Sequence, residues 1–249
     1  LSPSVHRVPG VIGANAYLVA SAAGLALVDA GLPGQGRRIV DFIASLGHAP
    51  GALGTIVLTH ADPDHAGSAA EVAALTGARV AIHEHDAPVL AGGLTPRRAK
   101  GRLTARTLLP RLARLGHEVG MALVLRWPGR RRGWRPLTAD VLLRDGDLVG
   151  GLRVVHAPGH TAGSIALLAE DGALLTGDAV FGDAHGRAHF PPRALSLDPA
   201  QARATARRLV DSGFTTLYPG HGAPVLALRT AAEAGRGVLD GTAPRRQGR

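Results

Sequence analysis

The sequence predicts a layered α/β protein with two β-rich halves, helices on the outside, and a basic helical insert between the halves. Three observations predict it. Short apolar runs bounded by Gly, Pro and Asp recur over residues 11–82 and again over 141–218. Apolar residues at helical spacing follow strands in both halves, which is the alternation that packs helices against sheets. Between the halves, residues 97–116 are Arg-rich with Leu103, Leu108, Leu109, Leu112 and Leu115 interleaved, a helical pattern interrupted near Pro110.

Taken in order, residues 11–19 and 25–28 read as two strands joined by a turn of small residues over 20–24. Gly31-Leu32-Pro33-Gly34 breaks the run. Ile39, Val40, Ile43 and Leu46 then recur at helical spacing before Gly47. Residues 55–59 form a short strand of the buried type, 67–75 a helix with Val72 and Leu75 on one face, and 78–82 another strand. The basic insert spans 94–135, and its part from Trp127 to Trp134 is loop-like. From Val141 the strand pattern returns at 152–156, 164–169 and 173–176. A helix follows at 200–211, then a last strand at 215–218. Residues 242–249 read as a disordered tail. The expected organisation is one domain over 1–249 that carries the insert.

Composition narrows the chemistry. At 249 residues and 45% apolar content, the chain is long enough to bury a full core. No run reaches the 18 or so apolar residues of a spanning helix, so no membrane partner is expected. Leu1-Ser2-Pro3-Ser4 lacks the basic start of a signal peptide, and a cytoplasmic location is the default expectation. The absence of cysteine excludes disulfides, thiolate metal sites and thiol nucleophiles. The net charge of +9 is local: residues 94–135 hold twelve Lys or Arg against Glu118 alone, a balance of +11, so the remainder nets −2.

Chemistry concentrates in Thr59-His60-Ala61-Asp62-Pro63-Asp64-His65, directly after an apolar run. Three later signals answer it: Pro158-Gly159-His160, Thr176-Gly177-Asp178 and Pro219-Gly220-His221. Each sets one His or Asp just beyond a strand, where loops from distant parts of a chain converge. Imidazole and carboxylate together suit zinc, iron or manganese. A second reading of the first cluster has Asp62 or Asp64 capping the helix that follows, with Pro63 in its first turn. His83 and His85, flanking Glu84, could form another metal site or belong to the loop above the first. There is no Gly-x-Ser-x-Gly elbow, and Gly31-Leu32-Pro33-Gly34-Gln35-Gly36 has neither dinucleotide spacing nor a Walker lysine.

In this order the motifs resemble the metallo-β-lactamase superfamily. The resemblance runs from Asn15-Ala16-Tyr17-Leu18-Val19 and Leu27-Val28-Asp29-Ala30-Gly31 through Tyr218-Pro219-Gly220-His221-Gly222. It implies a four-layer αββα sandwich and a pair of divalent metal ions, Zn2+ first, with iron or manganese as alternatives. His60, Asp62 and His160 would hold one ion and Asp64, His65 and His221 the other, with Asp178 bridging. A hydroxide between the metals would attack a carbonyl, Asp64 would orient it or handle its proton, and Asp29 would fix a ligand histidine from outside. The family commonly carries His where this chain has Asp62, and a carboxylate there makes the site harder and more anionic.

The expected reaction is hydrolysis of an ester, thioester or lactone bond in a small anionic substrate. Arg130, Arg131 and Arg132, with Trp127 and Trp134, are the substrate-binding candidates, since guanidinium forks carboxylate or phosphate and indole offers a stacking face. The alternatives are a nuclease-like enzyme whose insert grips nucleic acid, an iron-dependent redox member of the same fold, and a binding module that has lost its metals. The insert could also be a solvated basic face with no partner.

Overall fold

The computed structural model describes residues 3–92 and 135–226. All of the expected insert except Arg135, with Arg130, Arg131, Arg132, Trp127 and Trp134, lies outside the described residues, as does the expected tail at 242–249.

Two six-stranded sheets dominate. The first runs in chain order: β1 (Ser4–Arg7), β2 (Tyr17–Ser21), β3 (Gly24–Val28), β4 (Leu53–Leu58), β5 (Arg79–His83) and β6 (Val141–Leu143). β1, β2 and β3 pair antiparallel, whereas β3 to β6 are parallel. The second sheet comprises β7 (Leu148–Val149), β8 (Leu152–His156), β9 (Ile165–Leu168), β10 (Leu174–Gly177), β13 (Thr216–Pro219) and β14 (Val225–Leu226). It is ordered β14-β13-β10-β9-β8-β7, with β10 and β13 parallel. A hairpin of β11 (Phe181–Gly182) and β12 (Ala188–His189) stands apart.

Side-chain alternation along the strands builds the layers. Leu18, Leu27, Ile56, Leu58 and Ile82 pack with Ile39, Ile43 and Val72 of the helices α1 (Gly36–Ser45) and α3 (Ala69–Thr76). Their strand neighbours Val19, Val28, Val57 and Ala81 face the other way, onto Leu152, Val154, Ile165, Leu167 and Leu175 of the second sheet. Beyond that sheet, Ala166, Leu174 and Leu217 pack on Ala206 and Leu209 of the last helix, Pro199–Asp211. That helix starts cleanly: Asp198 accepts from the backbone N–H of Ala200 and Gln201, both at 2.9 Å, and Pro199 sits where no N–H is needed. The order helix, sheet, sheet, helix is the expected αββα sandwich.

Several expectations need adjustment. Residues 11–16 are not strand: Gly13 at φ +98° and the turn around it carry the chain towards the sheet edge, and β2 begins only at Tyr17. The helix expected at 67–75 is α3, and a separate single turn, α2 (Pro63–Ala66), precedes it. Leu75 does not share the buried face of Val72; it is 40% exposed. The short strands β1, β7, β11, β12 and β14 and the one-turn helix α4 (Ala87–Leu90) carry too few apolar residues to show a periodicity. The final helix, α5, matches the reading closely. No helix among the described residues is long and apolar enough to cross a membrane.

Candidate metal centre

The parallel register of β3, β4 and β5, and of β10 and β13, brings the ends of strands to one edge of the sandwich. His60 to His65 follow β4, Asp178 follows β10, and His221 follows β13. His160 lies in the β8–β9 connection. All seven residues are buried. Hydrogen bonds from Ile165 N to Thr59 O (3.0 Å) and from Gly220 N to Gly177 O (2.8 Å) lock these strand ends to one another.

Three overlapping groups result: His60, Asp62 and His160; Asp64, His65 and His221; and His60, His65 and Asp178. Within each, the potential donor atoms lie within 4.8 Å of one another. Asp178 occupies the middle, with Oδ1 at 3.1 Å from His65 Nε2 and 3.4 Å from His221 Nε2, and Oδ2 at 3.4 Å from His160 Nε2. Asp62 Oδ2 lies 3.3 Å from His160 Nε2 and 3.6 Å from His60 Nε2. Asp64 Oδ2 is 3.4 Å from His221 Nε2.

Asp62 does occupy the N-cap position of α2, and its carbonyl accepts from the N–H of His65 and Ala66. Its side chain makes no cap hydrogen bond. It turns instead towards the histidines, so the carboxylate belongs to the cluster and only the backbone belongs to the helix.

Behind the cluster, polar groups fix how the imidazoles face. Asp29 sits at the end of β3 with φ +60°, a left-handed conformation that Asp adopts more readily than most residues. Its carboxylate accepts from Thr59 N (2.9 Å), Thr59 Oγ1 (2.8 Å) and His65 Nδ1 (2.8 Å). Having donated to Asp29, the Thr59 hydroxyl can accept from His60 Nδ1 at 3.1 Å. In their neutral, ligating form both rings therefore carry the proton on Nδ1 and turn an Nε2 lone pair inward. The Nε2 atoms of His60 and His65 and Oδ1 of Asp178 are buried with no hydrogen-bond partner among the described residues. Buried polar atoms are rarely left so, and a cation among them would satisfy all three. The donor set fits divalent metals.

Electrostatics agree with that fit. Burial alone would raise the Asp64 carboxyl, but a hydrogen bond from His221 and the positive potential of His65 and His221 outweigh it and bring the pKa to about 2. Burial likewise opposes ionisation of Asp178, yet His221, His65 and His160 hold it well below the usual carboxylate range. For His65, burial favours the neutral ring, while Asp178 and Asp29 push its pKa well above the ordinary value. His160 goes the other way, lowered chiefly by burial, with His60 contributing. The pocket is built for positive charge.

Two supports complete the site: Asp86, whose role carries no signal in the sequence, and Asn15 with Tyr17, which stand in the segment that carries the resemblance. Asp86, buried in the turn after β5, accepts from Ala61 N (3.0 Å), Thr161 Oγ1 (2.9 Å) and Gly163 N (2.8 Å), so one carboxylate clamps the His60 loop to the His160 loop. Asn15 Nδ2 donates to the carbonyls of Pro219 and Gly222, both at 2.9 Å, and Tyr17 donates to Pro219 at 2.8 Å, pinning the His221 loop. Gly220 is required by space: a Cβ there would lie 2.7 Å from His65 Cε1 and 2.8 Å from Asp178 Oδ1. Phe181 stacks on His221, with ring centroids 5.2 Å apart.

Comparison with known proteins places this geometry. The family model of the metallo-beta-lactamase superfamily matches residues 9–221. A hydroxyacylglutathione hydrolase of Anaeromyxobacter dehalogenans is 33% identical over 87% of the chain, which spans 65% of that enzyme's length. Among solved structures, the metallo-beta-lactamase family protein TTHA1429 from Thermus thermophilus superposes with a TM-score of 0.63 at 28% identity, covering 93% of this chain and 77% of that one. TTHA1623, solved in a di-iron-bound form, gives 0.59 at 25% identity, covering 91% and 94%.

Proposed function

The chain belongs to the metallo-beta-lactamase superfamily, and on that premise we propose that it hydrolyses a thioester, or a related ester or lactone, of a small anionic molecule. The observation that carries the reading is Asp178 standing within 3.1–3.4 Å of three histidines, between two ligand groups of matching size. On this reading His60, Asp62 and His160 would hold one divalent ion, and Asp64, His65 and His221 the second, with Asp178 shared. Bound there, the ions would supply an activated water and Lewis acidity at the substrate carbonyl.

The protein's own groups then have definite tasks. The His221 hydrogen bond and the positive potential of His65 and His221 keep Asp64 ionised at neutral pH despite its burial, so it serves as ligand and orienting acceptor. Asp29 and Thr59 hold the His60 and His65 rings in one tautomer. Phe181 stacks on the His221 ring, and the closely packed Gly220 lets the His221 loop approach His65 and Asp178.

The thioester preference draws on the hydroxyacylglutathione hydrolase relative, and the anionic character on the +11 balance of residues 94–135. We assign Arg130, Arg131 and Arg132 to gripping the substrate's anionic groups, and Trp127 and Trp134 to offering it a stacking face. Elemental analysis of purified protein followed by a panel of glutathione thioesters, lactones and β-lactams tests the proposal. Turnover of thioesters above the others, with a raised KM in the R130A/R131A/R132A variant at unchanged metal content, is the expected outcome. Two bound metals with no hydrolysis of any panel member would defeat it.

A further inference from the structure

We propose that His83, His85 and His156 form a third metal-ion site, separate from the paired centre and open to solvent. The three rings come from different places: His83 ends β5, His85 follows in the next turn, and His156 ends β8. One potential donor atom from each lies within 4.8 Å of the others. The ring centroids of His83 and His156 are 4.4 Å apart, His83 and His85 4.9 Å, and His85 and His156 6.0 Å.

The surroundings make the set purely imidazole. Glu84 is occupied by Arg144, whose Nε donates to it at 2.8 Å. Asp145 accepts from His156 N at 2.7 Å. Asp86 is spent on Ala61, Thr161 and Gly163. The three histidines repel one another when protonated, and burial together with His156 and His85 lowers the pKa of His83 against the opposing pull of Glu84 and Asp86. Neutral imidazoles are the form that ligates.

Orientation favours ligation at one ring and opposes it at another. His156 Nε2 lies 2.9 Å from the Ala162 carbonyl, which can only accept, so Nε2 carries the proton and Nδ1 offers its lone pair. A backbone carbonyl behind a ligating imidazole is the usual support. His83 and His156 are stacked within 3° of parallel, and parallel rings cannot both hold one ion in their planes. Binding must turn one ring, giving up the 3.3 Å contact from His85 N to His83 Nδ1. That rearrangement makes this site weaker than the carboxylate-bearing centre. Three neutral nitrogens select a borderline cation such as Zn2+, Ni2+ or Cu2+ over Mg2+ or Ca2+. His85 is exposed, leaving the remaining coordination positions to water.

The test is equilibrium dialysis of the holoprotein against buffered Zn2+ in the micromolar range, with zinc per chain read by elemental analysis. Wild type should bind one equivalent beyond the paired centre, and H85A, which removes an exposed ring, should lose that equivalent alone. In H221A the paired centre should weaken while the His83, His85 and His156 ring signals still shift on zinc addition in 15N NMR. An extra equivalent absent from wild type, or retained in both H85A and H156A, would overturn the site. Because the NMR readout survives damage to the paired centre, failure here and failure of the hydrolase reading are distinguishable.

Discussion

Asp29 Oδ2 lies 2.8 Å from His65 Nδ1, and this single contact decides which nitrogen of His65 faces Asp178. The same carboxylate fixes Thr59, and through it His60, so one residue from the end of β3 sets the tautomer of two candidate ligands.

Asp29→Asn isolates that role. Asn tolerates the left-handed backbone at φ +60°, so the fold should persist. An amide cannot accept from all three donors, however, and the His65 ring loses its fixed tautomer. Metal affinity, measured by competition with a chromophoric chelator, should fall about 10–100-fold, with an unchanged far-UV spectrum. Wild-type affinity in this variant would remove the positioning role.

Asp62 is the second test. Asp62→Ala should lose about one equivalent of metal, because His60 and His160 are left without their carboxylate. Asp62→His should restore the stoichiometry while shifting the preference in mixed-metal loading from manganese or iron towards zinc. If Asp62→Ala keeps both content and affinity, the carboxylate is no ligand.

Asp86→Ala should act on stability before chemistry. It strands the buried N–H groups of Ala61 and Gly163, while the Thr161 hydroxyl keeps Ser164 Oγ at 2.7 Å, for a cost of about 3 kcal/mol. Urea unfolding of the metal-free protein would read this directly. Asp86→Asn should recover part of the loss, since its amide oxygen still accepts.

Metal-free and metal-loaded protein should respond to pH in opposite ways. The raised pKa of His65 stabilises the metal-free fold below the unfolded value of about 6.5, and that contribution is lost as pH rises through the folded pKa. The depressed pKa of Asp178 contributes above about 4 and is lost on further acidification. Metal binding expels the His65 proton, so the loaded protein gains from higher pH. Thermal unfolding between pH 6 and 9 should show Tm falling without metal and holding or rising with it. Parallel curves would refute the assignment.

How much of this is legible in the sequence depends on range. His60, Asp64, His65, His160, Asp178 and His221 are readable because each follows an apolar strand run, and their convergence is what parallel strands produce. Asp29 is legible for the same reason, at the end of β3. Asp86 is not: it sits in a polar turn where an Asp is ordinary, and its three partners lie 25 to 77 residues away. Residues 11–16 mislead because an apolar stretch reads as strand, although Gly13 and Asn15 serve a loop that reaches the His221 segment. Short edge strands such as β7 and β14 hold two residues each, too few for alternation to register.

The bonds from Asn15 to Pro219 and Gly222 join residues 204 and 207 positions apart. During synthesis every candidate ligand except His221 is therefore made before the segment that Asn15 anchors exists. Contacts of such separation form late, after the loops between them have closed. A nascent chain could hold an ion only through a partial set of donors, and would release it readily. Retention of the second cation should then coincide with docking of β13, making metal uptake a marker of completed folding.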